Sequence, residues 1–581
     1  MPPAKKFWSS DPSSIAPFLR SLLLSRPGSL AKLEGCDVLL HSSYSSPKVH
    51  LLSGGGSGHE PAHAGFLGAG MLSGAICGGV FASPSVASVL AGVRAVGGPA
   101  LLIVKNYTGD RLNFGMAAEM AGAEERDVAV VVVSDDVAIS VEKQGLAGAR
   151  GLAGTVFVRK CAGAAAAKGA TLEEVRGFAE RAAGAVRTLG VSLENVDVPG
   201  AAGAKEALGE DVMEIGMGIH GEPGRERATF PHAGGLDGIV AEVLKTIYEY
   251  GYQKEGETTR WRGGEEVSVL INNLGGCSVF EMGTIAEAVV RTLESGEGTP
   301  WGEPLRVSRI YVGSYMTSFD MHGFSISVMP TDDELGGLLD APTDAPAWVP
   351  AEHYSSAEPR PSLRPLPAPA AAAAEDAVSG GPPVSPAALA ALRSACDALL
   401  ALEPQLTEWD TLVGDGDCGL TMSRGAREIL SRLDAGSWRG EEGTAGLFTG
   451  LAEAVGSSMG GTSGVLLELF LRRAATAVRE GDVRGAYVAG VDAVMFYGGA
   501  KVGYRTMVDA LQPAAEVAKE GGSAQEMAAA AEKGAEATAH IQKALAGRSN
   551  YIREGGLDGI PDPGAKAVAA ILTAIANTEG M

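Results

Sequence analysis

Three aspartates lie within eight residues of one another, at Asp410, Asp415 and Asp417, and glycines surround the last two. Carboxylates at this density repel one another unless a cation lies among them. A ligand set of hard oxygens without histidine favours Mg²⁺ or Ca²⁺ over zinc. An EF-hand does not fit, because the sixth loop position counted from Asp415 is Leu420 instead of glycine and the twelfth is Ala426 instead of glutamate. The stretch predicts a metal site open to an anion such as phosphate, with a solvated acidic turn as the alternative.

A glycine-rich segment, Leu51–Pro61, follows an apolar run and carries His59 near its end. Its glycines predict a strand-to-helix turn whose backbone N–H groups face a phosphate or a polar oxygen. No Gly-Lys-Ser/Thr follows, which excludes a Walker A loop, and the spacing does not match a dinucleotide fingerprint. Because four glycines provide few apolar neighbours, we expect His59 to be exposed, and we place His63 on the same helix face.

Two further segments carry residues that could do chemistry. Asp110 follows the predicted strand Ala100–Val104, and His220 lies among glycines just before Pro223. Ligands of open α/β sheets collect at the carboxyl ends of strands, so Asp110 and His59 could converge on one substrate. The alternative is that Asp110 caps the helix that follows. The surroundings of His220 favour neither helix nor strand, which indicates a presented side chain or a structural hydrogen bonder.

The elements that must position these residues change character along the chain. Residues 1–350 alternate short apolar runs with helical stretches, which predicts an α/β domain. Helical periodicity is clearest at Leu172–Leu189 and Gly238–Tyr250. The predicted strands are Asp37–Leu40, Val49–Leu52, Ala100–Val104, Val128–Ser134, Val267–Ile271, Arg309–Val312 and Phe324–Val328.

Residues 351–384 are rich in proline, alanine and serine and are predicted to be a semi-extended linker. Residues 385–581 then show helical patterns and no convincing strand, which predicts an all-α domain of eight helices with the aspartates in the loop between the first two. The helical patterns are at Ala387–Leu402, Leu420–Leu433, Ala445–Ser458, Val465–Glu480, Arg484–Phe496, Tyr504–Lys519, Ala524–Leu545 and Ala565–Ala576.

Composition limits the classes of function. A chain of 581 residues is expected to form two or three domains, and a net charge of −23 argues against nucleic-acid binding. Six scattered cysteines without a Cys-x-x-Cys pair suit reduced thiols in the cytoplasm. No apolar stretch approaches the roughly 20 residues that span a bilayer, so we expect no membrane segment.

These segments together resemble the single-chain, ATP-dependent dihydroxyacetone kinase family. The residues that carry the resemblance in the first part are GGGSGHEPAHAGFLGAGM (54–71), FASPS (81–85), VKNYTGD (104–110), GMGIHGEPG (216–224), NNLGG (272–276) and GSYMTSFDMHGFS (313–325). Those in the second part are Asp410 with GDGDCG (414–419), SSMGGTSG (457–464), TMVDALQP (506–513) and DPGA (562–565).

For the first domain the resemblance implies a triose site. His220 would be the histidine that adds to the carbonyl of dihydroxyacetone or glyceraldehyde and holds it as a hemiaminal. Asp110 would be the general base for the attacking hydroxyl, with His59 beside that hydroxyl. The other substrate-binding residues implied are Gly56, Ser57 and Lys105.

For the second domain the resemblance implies an eight-helix barrel that binds ATP, with Asp410, Asp415 and Asp417 holding Mg²⁺. The nucleotide-binding residues implied are Gly419, Leu420, Thr421, Ser458, Met459, Gly461, Thr462, Asp562, Pro563 and Gly564. A homodimer is also implied. The alternative activity is a lyase that splits FAD into AMP and cyclic FMN in the helical domain, and a purely regulatory binding protein is disfavoured because both reactive halves are present.

Overall fold

The computed structural model describes residues 15–42, 48–144, 148–196, 207–254, 256–296, 298–352, 380–438, 443–546, 549 and 557–578. They form two compact units that divide within residues 353–379. Most of the predicted linker, 351–384, therefore lies outside the described residues, and the domain limits stay a prediction. No helix among the described residues combines the length and the apolar character needed to cross a membrane.

The first unit is an α/β domain built on two six-stranded sheets. Its strands are β1 (Leu30–Lys32), β2 (Val38–His41), β3 (His50–Ser57), β4 (Gly74–Val80), β5 (Ala100–Lys105), β6 (Val128–Val133), β7 (Arg187–Ser192), β8 (Val212–Ile215), β9 (Glu226–Thr229), β10 (Tyr252–Lys254), β11 (Glu257–Thr259), β12 (Glu266–Asn273), β13 (Arg306–Gly313) and β14 (Gly323–Pro330). The strand orders are β1-β2-β4-β3-β5-β6 and β13-β12-β14-β7-β8-β9, and β10 and β11 form a separate hairpin. The parallel strands β3 and β5 are buried throughout, as their apolar runs predict.

Helices cover these sheets. They are α1 (Ala16–Ser25), α2 (Val86–Val96), α3 (Thr108–Ala123), α4 (Thr155–Ala167), α5 (Leu172–Ala185), α6 (Gly235–Tyr250), α7 (Val279–Ser295) and α8 (Asp333–Leu339). Sequence signals set several of their starts: Thr171 with Glu174 and Ser278 with Glu281 form capping boxes on α5 and α7. All seven predicted strands are confirmed, six of them within one residue at their starts, while β13 begins three residues before the predicted Arg309.

Two secondary-structure predictions for this unit are wrong. The helix expected over Leu172–Leu189 ends at Ala185, and the β-branched residues beyond it form β7, which pairs with β14. The glycine-rich segment is not a strand-to-helix turn, because β3 continues to Ser57. Gly54 pairs with both Ile76 and Val104 in the centre of the sheet, and only a short 3₁₀ helix follows, at Ala64–Phe66.

The second unit confirms the all-α prediction. Its described residues hold no strand and eight α-helices, α9 (Pro386–Val413), α10 (Cys418–Asp434), α11 (Gly443–Ser458), α12 (Gly461–Arg479), α13 (Ala486–Gly498), α14 (Val508–Lys519), α15 (Ala524–Ala537) and α16 (Pro563–Ala576). Each helix packs on the next, and α16 packs back on α9, so the eight helices close into a ring.

One boundary in this unit changes the predicted site. The first helix was expected to end at Leu402, before a proline, but α9 continues through Pro404 to Val413. Leu406 and Val413 are buried along the added turns, and that burial offsets the hydrogen bond that proline removes. Asp410 therefore lies on the last turn of α9, and only Asp415 and Asp417 lie in the loop.

Candidate active site

The two histidines singled out in the sequence lie side by side in the first unit. His59 follows β3, and its Nδ1 is 2.8 Å from the carbonyl oxygen of Thr317. His220 lies in the turn between β8 and β9, and its Nε2 is 3.1 Å from Nε2 of His59. The Nδ1 of His220 is 2.8 Å from a carboxylate oxygen of Glu222. Both rings are therefore held at Nδ1 and meet at Nε2.

The hydrogen-bond partners of the two rings determine which ring nitrogens carry protons. Carbonyl and carboxylate oxygens only accept hydrogen bonds, so each Nδ1 carries a proton. In two neutral rings both Nε2 atoms would then be acceptors facing each other, and one additional proton between them satisfies the contact. Burial above all, and then the charges of Lys105 and His220, hold the pKa of His59 well below its usual value. The geometry fits a protonated His220 paired with Glu222, with neutral His59 as the acceptor.

Glu222 is a residue that the sequence analysis missed. Its second carboxylate oxygen accepts the backbone N–H of His220 at 3.0 Å, so Glu222 fixes both the ring and the backbone of that residue. Although burial opposes it, the hydrogen bond from His220 lowers the pKa of Glu222 to about 2. A Cβ on Gly218 would overlap this carboxylate. The sequence signal that could have identified Glu222 is a glutamate two residues after a histidine in a glycine-rich turn.

Aromatic side chains enclose the histidine pair. The ring of Phe81 stacks on His59 at 4.9 Å between centroids, and Phe319 lies 5.2 Å from Phe81. The Tyr107 ring is 4.8 Å from the ring of His220. The expectation that His59 would be exposed is therefore wrong: it is 0% exposed, while the His220 side chain keeps 21% exposure. Of the two imidazoles, His220 is the one that a ligand can reach.

Asp110 and Lys105 form a buried pair next to this aromatic wall. The Nζ of Lys105 is 3.9 Å from Oδ2 of Asp110 and 5.2 Å from the centre of the Tyr107 ring. Oδ1 of Asp110 is buried and has no hydrogen-bond partner among the described residues. The capping alternative fails, since α3 begins at Thr108 and has no side-chain cap. A buried carboxylate oxygen without a partner is an acceptor available to a ligand hydroxyl.

Two other residues predicted to bind the triose, Ser57 and Gly56, contact the backbone of neighbouring segments. The hydroxyl of Ser57 donates to the carbonyl oxygen of Gly78 at 2.8 Å. A Cβ on Gly56 would come within 2.7 Å of the backbone nitrogen of Ala82, so glycine allows β3 to approach that segment closely. His63 does not share a helix face with His59; its Nδ1 accepts a hydrogen bond from the buried Arg159 at 2.6 Å.

In the second unit the three aspartates come together. Carboxylate oxygens of Asp410, Asp415 and Asp417 all lie within 4.8 Å of one another. The second oxygen of the Asp410 carboxylate accepts the N–H of Cys418 at 3.0 Å, which ties the end of α9 to the start of α10. The turn between them requires a left-handed residue, and Gly416 has φ of +80° there. Three carboxylates at this spacing fit a hard divalent cation.

A cavity of about 240 Å³ adjoins the aspartates. Four helices begin at it, with Cys418 of α10, Gly461 of α12, Val508 of α14 and Pro563 of α16 on its walls. Helix N-termini present free N–H groups and a partial positive charge, which suits phosphate. The predicted nucleotide residues that line the cavity are Thr421, Gly461, Thr462, Asp562, Pro563 and Gly564.

The other four residues predicted to bind nucleotide are not among the described residues that line this cavity. A Cβ on Gly419 would overlap Thr407 of α9, so this glycine serves helix packing. Leu420 is 51% exposed, and Met459 is buried in the core against Gly425. The hydroxyl of Ser458 donates back to Ala454 within α11 at 2.7 Å.

Arg505 is a second residue that the sequence analysis missed, and it lines the same cavity. Arg505 is 1% exposed, and its guanidinium donates to Ser549 Oγ at 3.0 Å and to the carbonyl of Ile560 at 2.7 Å. Its Nε has no partner among the described residues. Asp562 caps α16 through the N–H of Ala565 at 2.8 Å, and burial raises its pKa to about 7.

Known proteins resemble this chain over nearly its whole length. Family models for a Dak1 domain and a DAK2 domain match residues 20–347 and 412–577. A tomato (Solanum lycopersicum) protein named putative 3,4-dihydroxy-2-butanone kinase is 43% identical over 98% of this chain and 97% of its own. The human triokinase/FMN cyclase is 41% identical over 98% and 99%.

A solved structure agrees with these relatives. The dihydroxyacetone kinase of C. freundii in complex with AMP-PNP and Mg²⁺ is 34% identical, with a TM-score of 0.63, over 99% of both chains. The match includes both the α/β unit and the helical unit.

Proposed function

Because this chain belongs to the dihydroxyacetone kinase family, we propose that its first unit binds the triose and its second unit binds ATP. The chain is a kinase that phosphorylates dihydroxyacetone. The observation that carries the division of roles is that one chain holds a reachable histidine suited to carbonyl addition and a separate carboxylate trio beside a cavity ringed by helix N-termini.

In the first unit His220 is the nucleophile. Its Nε2 proton passes to His59 Nε2, 3.1 Å away, and the freed lone pair forms a bond to the carbonyl carbon of the triose. The carbonyl π pair moves to oxygen, which takes the proton from His59 and becomes a hydroxyl. The product is a hemiaminal on a positively charged imidazole, and the Glu222 carboxylate pairs with that charge before and after the addition.

This chemistry selects for aldehydes and ketones. Dihydroxyacetone and glyceraldehyde both offer a carbonyl, whereas glycerol does not, so glycerol is excluded by reactivity as well as by fit. Asp110 then accepts the proton of the terminal hydroxyl that attacks the γ-phosphorus. Its unpartnered Oδ1 supports that role, and Nζ of Lys105 lies 3.9 Å from the other oxygen of the same carboxylate.

In the second unit Asp410, Asp415 and Asp417 hold Mg²⁺, which neutralises charge on the ATP phosphates when it is bound. The N-termini of α10, α12, α14 and α16 face the same anion, and Arg505 adds a buried cation. Asp562 fixes the start of α16 by capping it. These groups position a triphosphate without a covalent step, as phosphoryl transfer requires.

The lyase alternative is not favoured. Each relative reported above carries a kinase name, and the human protein carries an FMN cyclase name in addition. A lyase reaction confined to the helical unit would also leave the histidine pair of the first unit without a role. The six cysteines are all free, which agrees with the cytoplasm as the location that we propose. We propose a homodimer as the assembled form.

The proposed function can be tested by comparing substrates with the wild-type protein and by substituting one residue in each proposed site. Wild-type protein with Mg²⁺ and ATP should release ADP with dihydroxyacetone and glyceraldehyde but not with glycerol. His220→Ala should lose most triose phosphorylation while nucleotide binding survives, and Asp417→Ala should abolish transfer while the triose still binds. Full kinase activity in Asp417→Ala would contradict the metal assignment, and equal use of glycerol would contradict the carbonyl addition.

A further inference from the structure

A second group of metal-ligand side chains lies in the first unit, outside both sites described above. Cys277 precedes α7, Glu281 is in the first turn of α7, and His322 lies between β13 and β14. One ligand atom from each, a sulfur, a carboxylate oxygen and an imidazole nitrogen, lies within 4.8 Å of the other two. Two segments, the start of α7 and the residues just before β14, therefore bring three different donor types to one point.

Hydrogen bonds already hold two of the three donors, Cys277 and Glu281, in place. The N–H and the carbonyl of Cys277 both bond the Asn273 side chain, at 3.2 and 2.8 Å. One carboxylate oxygen of Glu281 accepts the N–H of Ser278 at 2.7 Å, which leaves the other oxygen turned toward His322. Little ordering of the chain is needed before such a set binds an ion, which favours affinity.

The spacing fits a tetrahedral ion. The Nε2 of His322 is 3.1 Å from Oε1 of Glu281. Zinc bonds of about 2.0–2.2 Å to nitrogen and oxygen at tetrahedral angles place two such ligands roughly 3.4 Å apart. The pair is thus within a few tenths of an ångström of the separation that a shared ion requires. A sulfur and an imidazole also favour zinc-like ions over Mg²⁺, which prefers oxygen.

The fourth side of the cluster is open. Cys277, Glu281 and His322 all line a cavity of about 440 Å³ whose other walls are largely apolar. Those walls include Leu193, Phe230, Leu236, Ile239, Phe280 and Phe324. Three protein ligands with one open position is the arrangement of exchangeable and reactive zinc sites, whereas structural sites use four protein ligands.

We propose that Cys277, Glu281 and His322 bind one Zn²⁺-like divalent ion whose fourth coordination position faces the cavity. Without the ion the thiol of Cys277 donates to the carbonyl of Gly323 at 3.2 Å. Binding transfers that thiol proton to solvent, and His322 binds through Nε2 as the neutral tautomer protonated at Nδ1. Because the thiol proton leaves when the ion binds, the affinity should rise with pH while the thiol is protonated.

Cobalt(II) is the probe that separates this site from the aspartates. Full-length protein, with Mg²⁺ in excess to occupy Asp410, Asp415 and Asp417, is titrated with Co²⁺. One equivalent should produce a sulfur-to-cobalt charge-transfer band in the near ultraviolet and the visible bands of tetrahedral cobalt. Added Zn²⁺ should remove both. Absence of the charge-transfer band in wild-type protein would overturn the proposal.

Matched variants identify the ligands. Cys277→Ser should lose the charge-transfer band, and His322→Asn should weaken Co²⁺ binding at least tenfold. Cys36→Ser alters another half-buried cysteine of the same unit and should leave the spectrum unchanged. Retained dihydroxyacetone kinase activity in Cys277→Ser would show that the variant is folded. A charge-transfer band that survives Cys277→Ser, or that disappears in Cys36→Ser, would contradict the site.

Discussion

His59 and His220 face each other through their Nε2 atoms at 3.1 Å, while each Nδ1 donates to an oxygen that can only accept. In the mechanism that we propose, addition of the His220 Nε2 atom to a carbonyl depends on where one proton lies. His59 is the nearest group that can receive it, and Glu222 is the group that stabilises the positive ring. We therefore expect the reactivity of His220 to depend on His59 and Glu222 as well as on His220 itself.

We predict that Glu222→Gln lowers kcat/KM for dihydroxyacetone by roughly 10- to 100-fold, the range expected for a hydrogen bond to a charged group. Glutamine keeps one oxygen that can accept a hydrogen bond from Nδ1–H of His220. It carries no charge, however, and cannot neutralise the positive charge that the proposed hemiaminal places on His220. Steady-state kinetics with varied triose measure the effect. The KM for ATP should stay the same, because the nucleotide site that we propose is in the other unit.

Glu222→Ala is the companion variant. Alanine removes both accepting oxygens, whereas glutamine keeps one that can accept a hydrogen bond from His220, so the loss in Glu222→Ala should exceed that in Glu222→Gln. Equal losses in the two variants would show that the charge alone matters. Wild-type kinetics in both would contradict the role given to Glu222.

The elements that carry the sites could be predicted, because their signals are local. The buried apolar runs at Leu101–Val104 and Val267–Ile271 identify strands, and glycines around His220 identify a turn. The partners of these residues could not be predicted. The contact between His59 and His220 joins positions 161 residues apart, and it depends on how two sheets pack.

In the second unit, too, contacts between residues distant in sequence decide features that local sequence patterns could not predict. The helix predicted to end at Leu402 continues through Pro404, because burial of Leu406 and Val413 outweighs one missing hydrogen bond. Similarly, glycines beside the aspartates suggested contact with phosphate, whereas Gly419 packs against α9. Sequence patterns report what a residue permits, and tertiary packing decides which possibility is used.

That packing role leads to a prediction for Gly419. Alanine there would place Cβ against Thr407 and the backbone carbonyl of Glu403, so Gly419→Ala should destabilise the second unit by about 1–3 kcal/mol. Urea unfolding followed by fluorescence measures it. Leu420→Ala, at the exposed neighbouring position, is the control and should change stability little. If Gly419→Ala has wild-type stability and a raised KM for ATP, the glycine contacts nucleotide instead.

The aspartates give a prediction that separates metal binding from folding. Asp417→Asn keeps the shape of the side chain but removes one charge from the trio, so kinase turnover should fall on the order of 100-fold or more. Raising the Mg²⁺ concentration should restore part of it, which a purely structural defect would not allow. The measurement is the rate of ADP release across a Mg²⁺ titration, with unfolding curves as the control.

The pKa of Glu222 predicts how stability depends on pH. Because the hydrogen bond from His220 lowers this pKa from 4.5 to about 2 against the opposing effect of burial, the folded state favours the ionised carboxylate. That contribution is present above pH 4.5 and is lost as the pH falls toward 2. Wild type should therefore be more stable than Glu222→Gln near neutrality, and the difference should shrink below pH 4.5. Urea unfolding at several pH values tests this, with the exposed Glu173→Gln as control. A difference that grows on acidification would contradict the pairing of Glu222 with a charged His220.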